Sequence, residues 1–424
     1  MEIDSTETAA NALAWDDLDT LDRLLEDPRI RAELNQGWFG LSHPPLVAAK
    51  STEAIQLLIG HGADLSGVSE WWGPGFGLRG VDPTTGAALV EQGATLSPHA
   101  AAALGLEEHL AGMIGKDPDV VHLKGGDGGR PLHFARNLSI ASLLIARGAE
   151  IDALDDDHQS TPCQWLIGEA PEVVEGLISA GANLDIFVAA AMGSVDGVAR
   201  VVHRDPSSTA YRIGYNLGPF PGIGFEGRGG TILQWTLGFN ASPHEIALSR
   251  GHREVFDFLM SHTERRPKLL VACMVGDEQT ARAIVDEDPN VLSTFSEDDH
   301  QLLAKACWET NRNIEAVRIM LALGVGVDVP ELNHLYSPLH NAAFDGNASL
   351  VELLLNYGHP VDVVAPKYHS TPLGACLWAA TEGRVADRDY AGVVDRLLCA
   401  GATISPDAYP TGDARIDAVI DSHL

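Results

Sequence analysis

The segment Glu53-Ala-Ile-Gln-Leu-Leu-Ile-Gly-His-Gly62-Ala-Asp-Leu65 decides the fold, because it joins an apolar helical face to a glycine stop. Its apolar residues recur three and four positions apart, which predicts an amphipathic helix. Gly62 follows the last turn, where glycine takes up a left-handed conformation without the strain of a Cβ. Similar endings recur at Gly93, Gly148, Gly181, Gly324, Gly358 and Gly401. The chain is therefore predicted to be a tandem array of short helices.

A second kind of helix ending is the dipeptide Asp-Pro. It occurs at residues 27–28, 117–118, 205–206 and 288–289. Proline cannot continue a helix, so it is expected to stop the helix as glycine does elsewhere. In three of the four copies a glycine lies twelve positions before the aspartate, at Gly105, Gly193 and Gly276. This constant register indicates that the copies are related to one another.

Proline also marks the openings that precede the glycine endings. The openings are Pro131-Leu-His133, Ser337-Pro-Leu-His340 and Thr371-Pro-Leu373, with degenerate forms at Thr161-Pro-Cys163 and Pro45-Leu46. Proline in the first helical turn loses no hydrogen bond, and Ser or Thr before it caps the exposed amides. Together with the glycine endings, these openings resemble the ankyrin repeat, whose period is roughly 33 residues. The resemblance covers nearly the whole chain, and its many degenerate copies resemble bacterial-type members of that family.

This resemblance implies an all-α, ankyrin-like helical repeat solenoid with short finger hairpins. We expect one continuous solenoid over residues 1–424, with an N-terminal capping repeat at 1–40 and a C-terminal cap at 405–424. Two Gly/aromatic insertions, at 71–80 and 214–230, interrupt it. The resemblance also implies that His133 and His340 brace neighbouring repeats.

Composition narrows the possible partners. Apolar residues make up 45% of the 424 residues, which is typical of a folded chain. Asp and Glu outnumber Lys and Arg by 59 to 28, and the net charge of −31 repels nucleic acid and anionic membranes. The first residues are acidic where a secretory signal is basic and then apolar, and no run reaches the roughly 18 apolar residues of a membrane span. We therefore expect a cytoplasmic protein.

Motifs for cofactor chemistry are weak, and neither a cofactor nor a metal site is predicted. The five cysteines are dispersed, which favours buried reduced thiols over disulfides or a zinc site. Gly222, Gly224 and Gly227 spell G-x-G-x-x-G, but prolines precede them where a nucleotide site needs a strand.

The 214–230 insertion and its flanks combine flexible glycines with aromatic and charged side chains, which predicts a ligand-binding site. The candidate ligand-binding residues are Tyr211, Arg212, Tyr215, Phe220, Arg228 and Trp235, with Trp71 and Trp72 in the smaller insertion. Two arginines in an acidic protein suit an anionic group. The alternative is a loop that only plugs a gap between helices.

Two histidine-containing motifs remain open. In Ser242-Pro-His244-Glu245, the histidine stands where the repeat places a buried leucine. His244 is therefore either a satisfied core histidine or a functional acid, base or ligand, and Glu226 is a second candidate catalytic residue. The tetrapeptide Asp-Asp-His-Gln occurs at 156–159 and at 298–301, where we expect solvated finger tips.

The leading functional hypothesis is a non-catalytic, protein-binding recognition scaffold, which the resemblance implies. Its partner, basic or neutral in charge, would lie along the fingers and inner helices. The alternative is a small-molecule or enzymatic pocket built by residues 211–245 over the concave face, with acid/base chemistry on an anionic or aromatic substrate. The sequence leaves enzymatic activity open and favours its absence.

Overall fold

A computed structural model describes residues 5–38, 44–65, 78, 81–214, 230–300, 302–307, 313–325, 337–365, 368–383, 388–405 and 408–424. They form two compact units, Met1–Ala241 and Ser242–Leu424. Helices dominate both units, and the β-structure in these ranges is one antiparallel bridge between Ala365 and Ser370. The predicted all-α helical repeat is thereby confirmed, while one continuous solenoid over 1–424 stays a prediction.

The first unit contains thirteen α-helices within its described residues. They are α1 (Ser5–Ala14), α2 (Leu18–Leu25), α3 (Pro28–Ala32), α4 (Pro45–Ala48), α5 (Thr52–Gly60), α6 (Pro83–Glu91), α7 (Pro98–Leu104), α8 (Glu107–Lys116), α9 (Leu138–Ala146), α10 (Pro162–Leu166), α11 (Pro171–Ser179), α12 (Ile186–Ala191) and α13 (Val195–Arg204). Short 3-10 helices cover Pro118–His122, Pro131–Phe134 and Pro206–Ala210, and a π-helix covers Gln234–Gly238.

The second unit repeats the pattern of short helices. Its described α-helices are α14 (Pro243–Ser249), α15 (Arg253–His262), α16 (Arg265–Met274), α17 (Glu278–Glu287), α18 (Glu297–His300), α19 (Leu302–Ala306), α20 (Ile314–Ala322), α21 (Pro338–Phe344), α22 (Ala348–Asn356), α23 (Pro372–Trp378), α24 (Tyr390–Cys399) and α25 (Ala414–His423). A 3-10 helix covers Val291–Thr294 and a π-helix covers Ala379–Gly383. Among the helices described in either unit, none is long and apolar enough to cross a membrane.

The predicted glycine stops are confirmed at all seven positions. Gly62, Gly93, Gly148, Gly181, Gly324, Gly358 and Gly401 have φ angles between 80° and 104°. An L-residue with a side chain is strained in this conformation, so glycine is the residue that ends these helices at low cost.

The Asp-Pro endings perform two tasks rather than one. Asp117 is the last residue of the turn that closes α8, and its carboxylate accepts the backbone amide of Asp119 at 3.1 Å. Asp205 closes α13 and accepts the amide of Ser207 at 3.2 Å. In each case the proline that follows the aspartate, Pro118 or Pro206, starts a 3-10 helix. Proline is tolerated there because its missing N–H is not needed in a first turn. The dipeptide therefore joins two helices as well as ending one.

Three of the five predicted helix openings are confirmed as caps, and those at Pro131 and Pro45 have no side-chain cap. The hydroxyl groups of Thr161, Ser337 and Thr371 accept backbone amides three residues on, at 3.4, 3.3 and 3.1 Å. A proline follows each of them at the first helical position. Each cap of this kind contributes about 1 kcal/mol to helix stability.

Each unit has its own apolar core, which is built from the faces that these helices bury. Leu21, Leu58 and Leu89 are fully buried in one core, and Met320 and Leu354 in another. Four cysteines are buried as expected, but Cys399 is exposed, so the expectation of buried thiols is wrong there. Cys399 is the last residue of α24 and is not among the residues that this helix buries.

Candidate functional site

The predicted insertion site is described only at its flanks. Tyr215, Phe220, Glu226 and Arg228, together with Trp71 and Trp72 of the smaller insertion, lie outside the described residues. Tyr211, Arg212 and Trp235 belong to the first compact unit, and His244 belongs to the second. The insertion therefore remains a predicted ligand site.

Tyr211 and Arg212 make contacts that hold the backbone on either side of the insertion. The Tyr211 hydroxyl donates to the Asp205 carboxylate at 2.7 Å and lies 3.1 Å from the Ser207 hydroxyl. Partial burial raises the pKa of Tyr211. The Arg212 guanidinium is buried and donates to the backbone carbonyl of Asn240. Both side chains therefore stabilise the insertion's ends, whatever the insertion binds.

The chain that leaves the insertion returns to a finger lying 72 positions earlier. The His158 imidazole Nδ1 lies 2.8 Å from the Gly230 carbonyl oxygen, and the Thr236 hydroxyl donates to the Gln164 carbonyl at 3.2 Å. Trp235, between these contacts, is 73% exposed. The indole of Trp235 is therefore exposed at the edge of the insertion. An exposed indole suits a contact surface better than a closed pocket.

His158 belongs to the first Asp-Asp-His-Gln motif, and the expectation of a solvated tip is wrong for it because the imidazole is buried. The neighbouring Asp155 carboxylate organises this finger. It accepts the amide of Ser160 at 2.8 Å and the indole N–H of Trp165 at 3.0 Å. The ring of Trp165 in turn lies 5.4 Å from that of His158. These groups satisfy one another, so the motif builds the finger rather than a reactive site.

The second Asp-Asp-His-Gln motif lies on a helix rather than a finger, as far as residue 300, where the described part of it ends. Asp299 and His300 belong to α18. The Asp299 carboxylate accepts the amide and hydroxyl of Ser296 at 2.7 and 2.8 Å, which caps the helix start. A short polar motif does not specify its own backbone conformation, so two copies of it fold differently.

His244 is fully buried in the second unit, with its Nε2 2.8 Å from the Thr263 hydroxyl. A matching Ser-Pro-His stands at residues 97–99 of the first unit. His99 is also buried, and its Nε2 lies 2.8 Å from the Leu123 carbonyl oxygen. In both copies the imidazole contacts the chain beyond the next α-helix, at Leu123 and at Thr263. This shared arrangement favours a core histidine at position 244 over a catalytic one.

The bracing role implied for His133 and His340 is seen directly. His133 Nε2 lies 3.2 Å from the Ser160 carbonyl, and His340 Nε2 lies 2.9 Å from the Ser370 carbonyl. Each imidazole thus joins one helix opening to the next. Burial lowers the pKa of His133 to about 4, although the nearby Asp155 charge acts in the opposite direction.

A groove lies beside α21 and α23 in the second unit, and we call it the aromatic groove. It encloses about 980 Å³, and its lining includes Phe344, Tyr368, Leu373, Leu377, Trp378 and Ile404. Tyr368 and Trp378 are 53% and 56% exposed, whereas Leu373 and Leu377 are buried beneath them. The floor is therefore apolar and fixed, and the walls carry aromatic rings that solvent reaches.

The walls of the aromatic groove are ordered by their own contacts. Phe344 ends α21 and Trp378 ends α23, and their rings stack 5.8 Å apart with an interplanar angle of 19°. At the far side, the Asp362 carboxylate accepts the amide and hydroxyl of Thr403 at 3.1 and 2.8 Å. A stacked pair of this kind loses little conformational freedom when a partner covers it.

The aromatic groove was not predicted from the sequence, since its walls come from two helix ends and the finger between them. One signal was available in the sequence: α21 and α23, which both begin at a helix-opening proline, each end in an aromatic residue. Phe344 and Trp378 both stand six positions after the helix-opening proline, at Pro338 and Pro372. The same spacing puts their side chains on equivalent faces of neighbouring helices.

Comparison with known proteins agrees with these repeats. A family model described as the ankyrin repeat matches residues 334–366, which include α21 and α22. The "Ankyrin repeat and SAM domain-containing protein 6" of Rattus norvegicus is 28% identical over 130 residues, covering 28% of this chain and 14% of that protein. Its counterpart from Mus musculus is 28% identical over 126 residues, with the same two coverages. The match thus spans about one seventh of these relatives.

Among solved structures, the crystal structure of the human ASB11 ankyrin repeat domain covers 73% of this chain and 99% of that one, at 19% identity and a TM-score of 0.26. The family match falls on a repeat whose opening cap, bracing histidine and terminal glycine are all present, at Ser337, His340 and Gly358. The same devices recur through both units, and residues 334–366 match the ankyrin repeat.

Proposed function

We propose that this chain is a protein-binding scaffold and that the aromatic groove is its principal docking surface. Ankyrin repeats imply an interaction scaffold, and the observation that carries the location is the half-exposed stack of Trp378 on Phe344. Large aromatic side chains held in a fixed orientation contribute most to binding in protein interfaces. The groove is lined by residues of α21, of α23 and of the finger between them. The partner was expected to lie along the fingers and inner helices.

The chemistry of the groove indicates the kind of segment that fits it. Its buried floor at Leu373 and Leu377 takes an apolar side chain, and about 980 Å³ leaves room for several residues of a linear segment. Asp362 lies at the rim, and the whole chain carries a net charge of −31. We therefore propose a basic or neutral protein segment with an apolar anchor, whose association slows as salt is added.

The test is a selection of linear peptides from a random display library on the full chain, followed by affinity measurement. The Trp378→Ala variant should bind the selected peptides at least about tenfold more weakly, since a central aromatic hot spot contributes about 2 kcal/mol or more. Trp15→Ala is the matched control, because Trp15 is 79% exposed in the other unit. It should bind as the parent chain does.

Trp235→Ala separates the aromatic groove from the insertion site. A selected peptide that loses affinity through Trp235→Ala and keeps it through Trp378→Ala would locate binding at the insertion and contradict this proposal. Circular dichroism of all three variants should match the parent chain, since each of these tryptophans is more than half exposed.

A further inference from the structure

The outer surface of the second unit brings together three side chains of different chemistry. Asp395 and Cys399 lie one turn apart on α24, and His423 is the last residue of α25. The His423 Nε2 lies 3.0 Å from an Asp395 carboxylate oxygen, and the Cys399 sulfur lies 4.0 Å from the same oxygen. All three donor atoms lie within 4.8 Å of one another.

These distances are close to those of a tetrahedral zinc site. Zinc bonds of about 2.0–2.3 Å to nitrogen, oxygen and sulfur place neighbouring donor atoms about 3.3–3.6 Å apart. The two distances to the Asp395 oxygen, 3.0 and 4.0 Å, lie on either side of that range. Small side-chain rotations would therefore bring the three donor atoms to zinc-binding distances without a movement of the helices. Sulfur, imidazole nitrogen and carboxylate oxygen are also the three donor types that zinc accepts in proteins.

Cys399 differs from the other cysteines in its exposure to solvent. A thiol binds metal as the thiolate. Burial raises the pKa values of the thiols of Cys163 and Cys273 to about 12, and it raises those of Cys307 and Cys376 as well. Cys399, by contrast, is exposed. It is the cysteine that a metal ion in solution reaches.

A second cluster in the first unit has the same layout without the sulfur. Asp22 and Glu26 lie one turn apart at α2, and His61 follows the end of α5, with its Nε2 2.7 Å from an Asp22 oxygen. Pairing of a histidine with an aspartate on the neighbouring helix is therefore a repeated structural feature. The thiol of Cys399 is what distinguishes the cluster at α24 and α25.

We propose that Asp395, Cys399 and His423 bind a zinc ion that links α24 to α25, with water in the fourth position. A bound divalent cation also offsets part of the net charge of −31. Because zinc displaces protons from its thiol and imidazole ligands, binding should release protons to the buffer.

The test is a titration of the full chain with zinc chloride after treatment with a chelator, read by calorimetry and by competition with a fluorescent indicator. We expect one tight ion per chain, with a heat that depends on the ionisation enthalpy of the buffer. Cys399→Ser and His423→Gln should each weaken binding at least about tenfold. The matched control is His61→Gln, which removes the imidazole of the sulfur-free cluster and should leave the tight site unchanged.

Cobalt provides a direct signature of the sulfur ligand. Cobalt bound at this site should show a thiolate-to-metal charge-transfer absorption, and Cys399→Ser should abolish it. The proposal is overturned if the parent chain binds no stoichiometric zinc, if Cys399→Ser binds it equally well, or if His61→Gln is the variant that loses it. Cys399 and His423 are exposed and His61 is partly buried, and matching thermal unfolding in chelator would show that all variants are folded.

Discussion

The imidazole Nδ1 of His158 lies 2.8 Å from the carbonyl oxygen of Gly230, across a sequence separation of 72 residues. This contact ties the end of the 214–230 insertion to the finger that Asp155 organises. It also explains why a polar finger tip is buried, since the returning chain covers it. The insertion is therefore anchored at both ends, by Tyr211 and Arg212 where it begins and by His158 where it closes.

His158→Ala should loosen this closure without unfolding the unit. The substitution leaves the buried carbonyl of Gly230 without its imidazole partner, which costs about 1–3 kcal/mol. Hydrogen exchange of the amides in 230–238 should speed up, because these residues lose their anchor. His203→Ala is the control, since His203 is exposed on α13. Unchanged exchange in 230–238 would show that the contact does not hold the insertion.

The stability of the first unit should fall in mild acid because of His133. Burial holds its pKa at about 4 in the folded chain, against 6.5 when it is unfolded. Below the unfolded value, the unfolded chain binds the proton more readily, so the free energy of unfolding decreases as pH falls toward 4. Between about pH 7.5 and about pH 5 this amounts to about 2 kcal/mol. Urea unfolding at the two pH values measures it.

His133→Gln separates this effect from other acid effects. The variant has no group to titrate at that position, so its loss of stability between the two pH values should be smaller by about 2 kcal/mol. His203→Gln should retain the full acid sensitivity, because that histidine is exposed. Equal acid sensitivity in the His133 variant and the parent chain would exclude His133 as the source.

Leu354→Ala should destabilise the second unit by about 2–5 kcal/mol, because Leu354 is fully buried in its core and the truncation leaves a cavity. Chemical unfolding followed by circular dichroism measures the loss. Asn356→Ala, an exposed change at the end of the same helix, should have little effect. A Leu354 variant as stable as the parent would mean that α22 is not packed as described.

Thiol labelling should distinguish Cys399 from the other cysteines. At about pH 8 and without denaturant, iodoacetamide should modify Cys399 first, since alkylation needs an accessible thiolate. Cys163, Cys273, Cys307 and Cys376 should react only after unfolding. Peptide mass spectrometry locates the label. Fast modification of Cys307 in the folded chain would contradict its burial in the core.

Local signals along the chain were enough to predict the helical repeat. A glycine after a helix, such as Gly62, and a capped proline opening, such as Ser337-Pro338, act within a few residues of themselves. Their effect depends on backbone strain and on nearby amides, so neighbouring sequence carries the information. The register of the repeats and the N-caps were predictable for this reason, whereas the bracing by His133 and His340 was implied by the resemblance to the ankyrin repeat.

Contacts between distant residues were decided by the tertiary structure alone. His158 meets Gly230, Phe344 stacks on Trp378, and Cys399 approaches His423 only because helices and fingers pack side by side. Periodicity shows which face of a helix is buried, but it does not show which exposed side chains meet across neighbouring elements. That pairing depends on how the buried faces fit together, and this is why the aromatic groove and the Asp395–Cys399–His423 cluster had no counterpart in the sequence motifs.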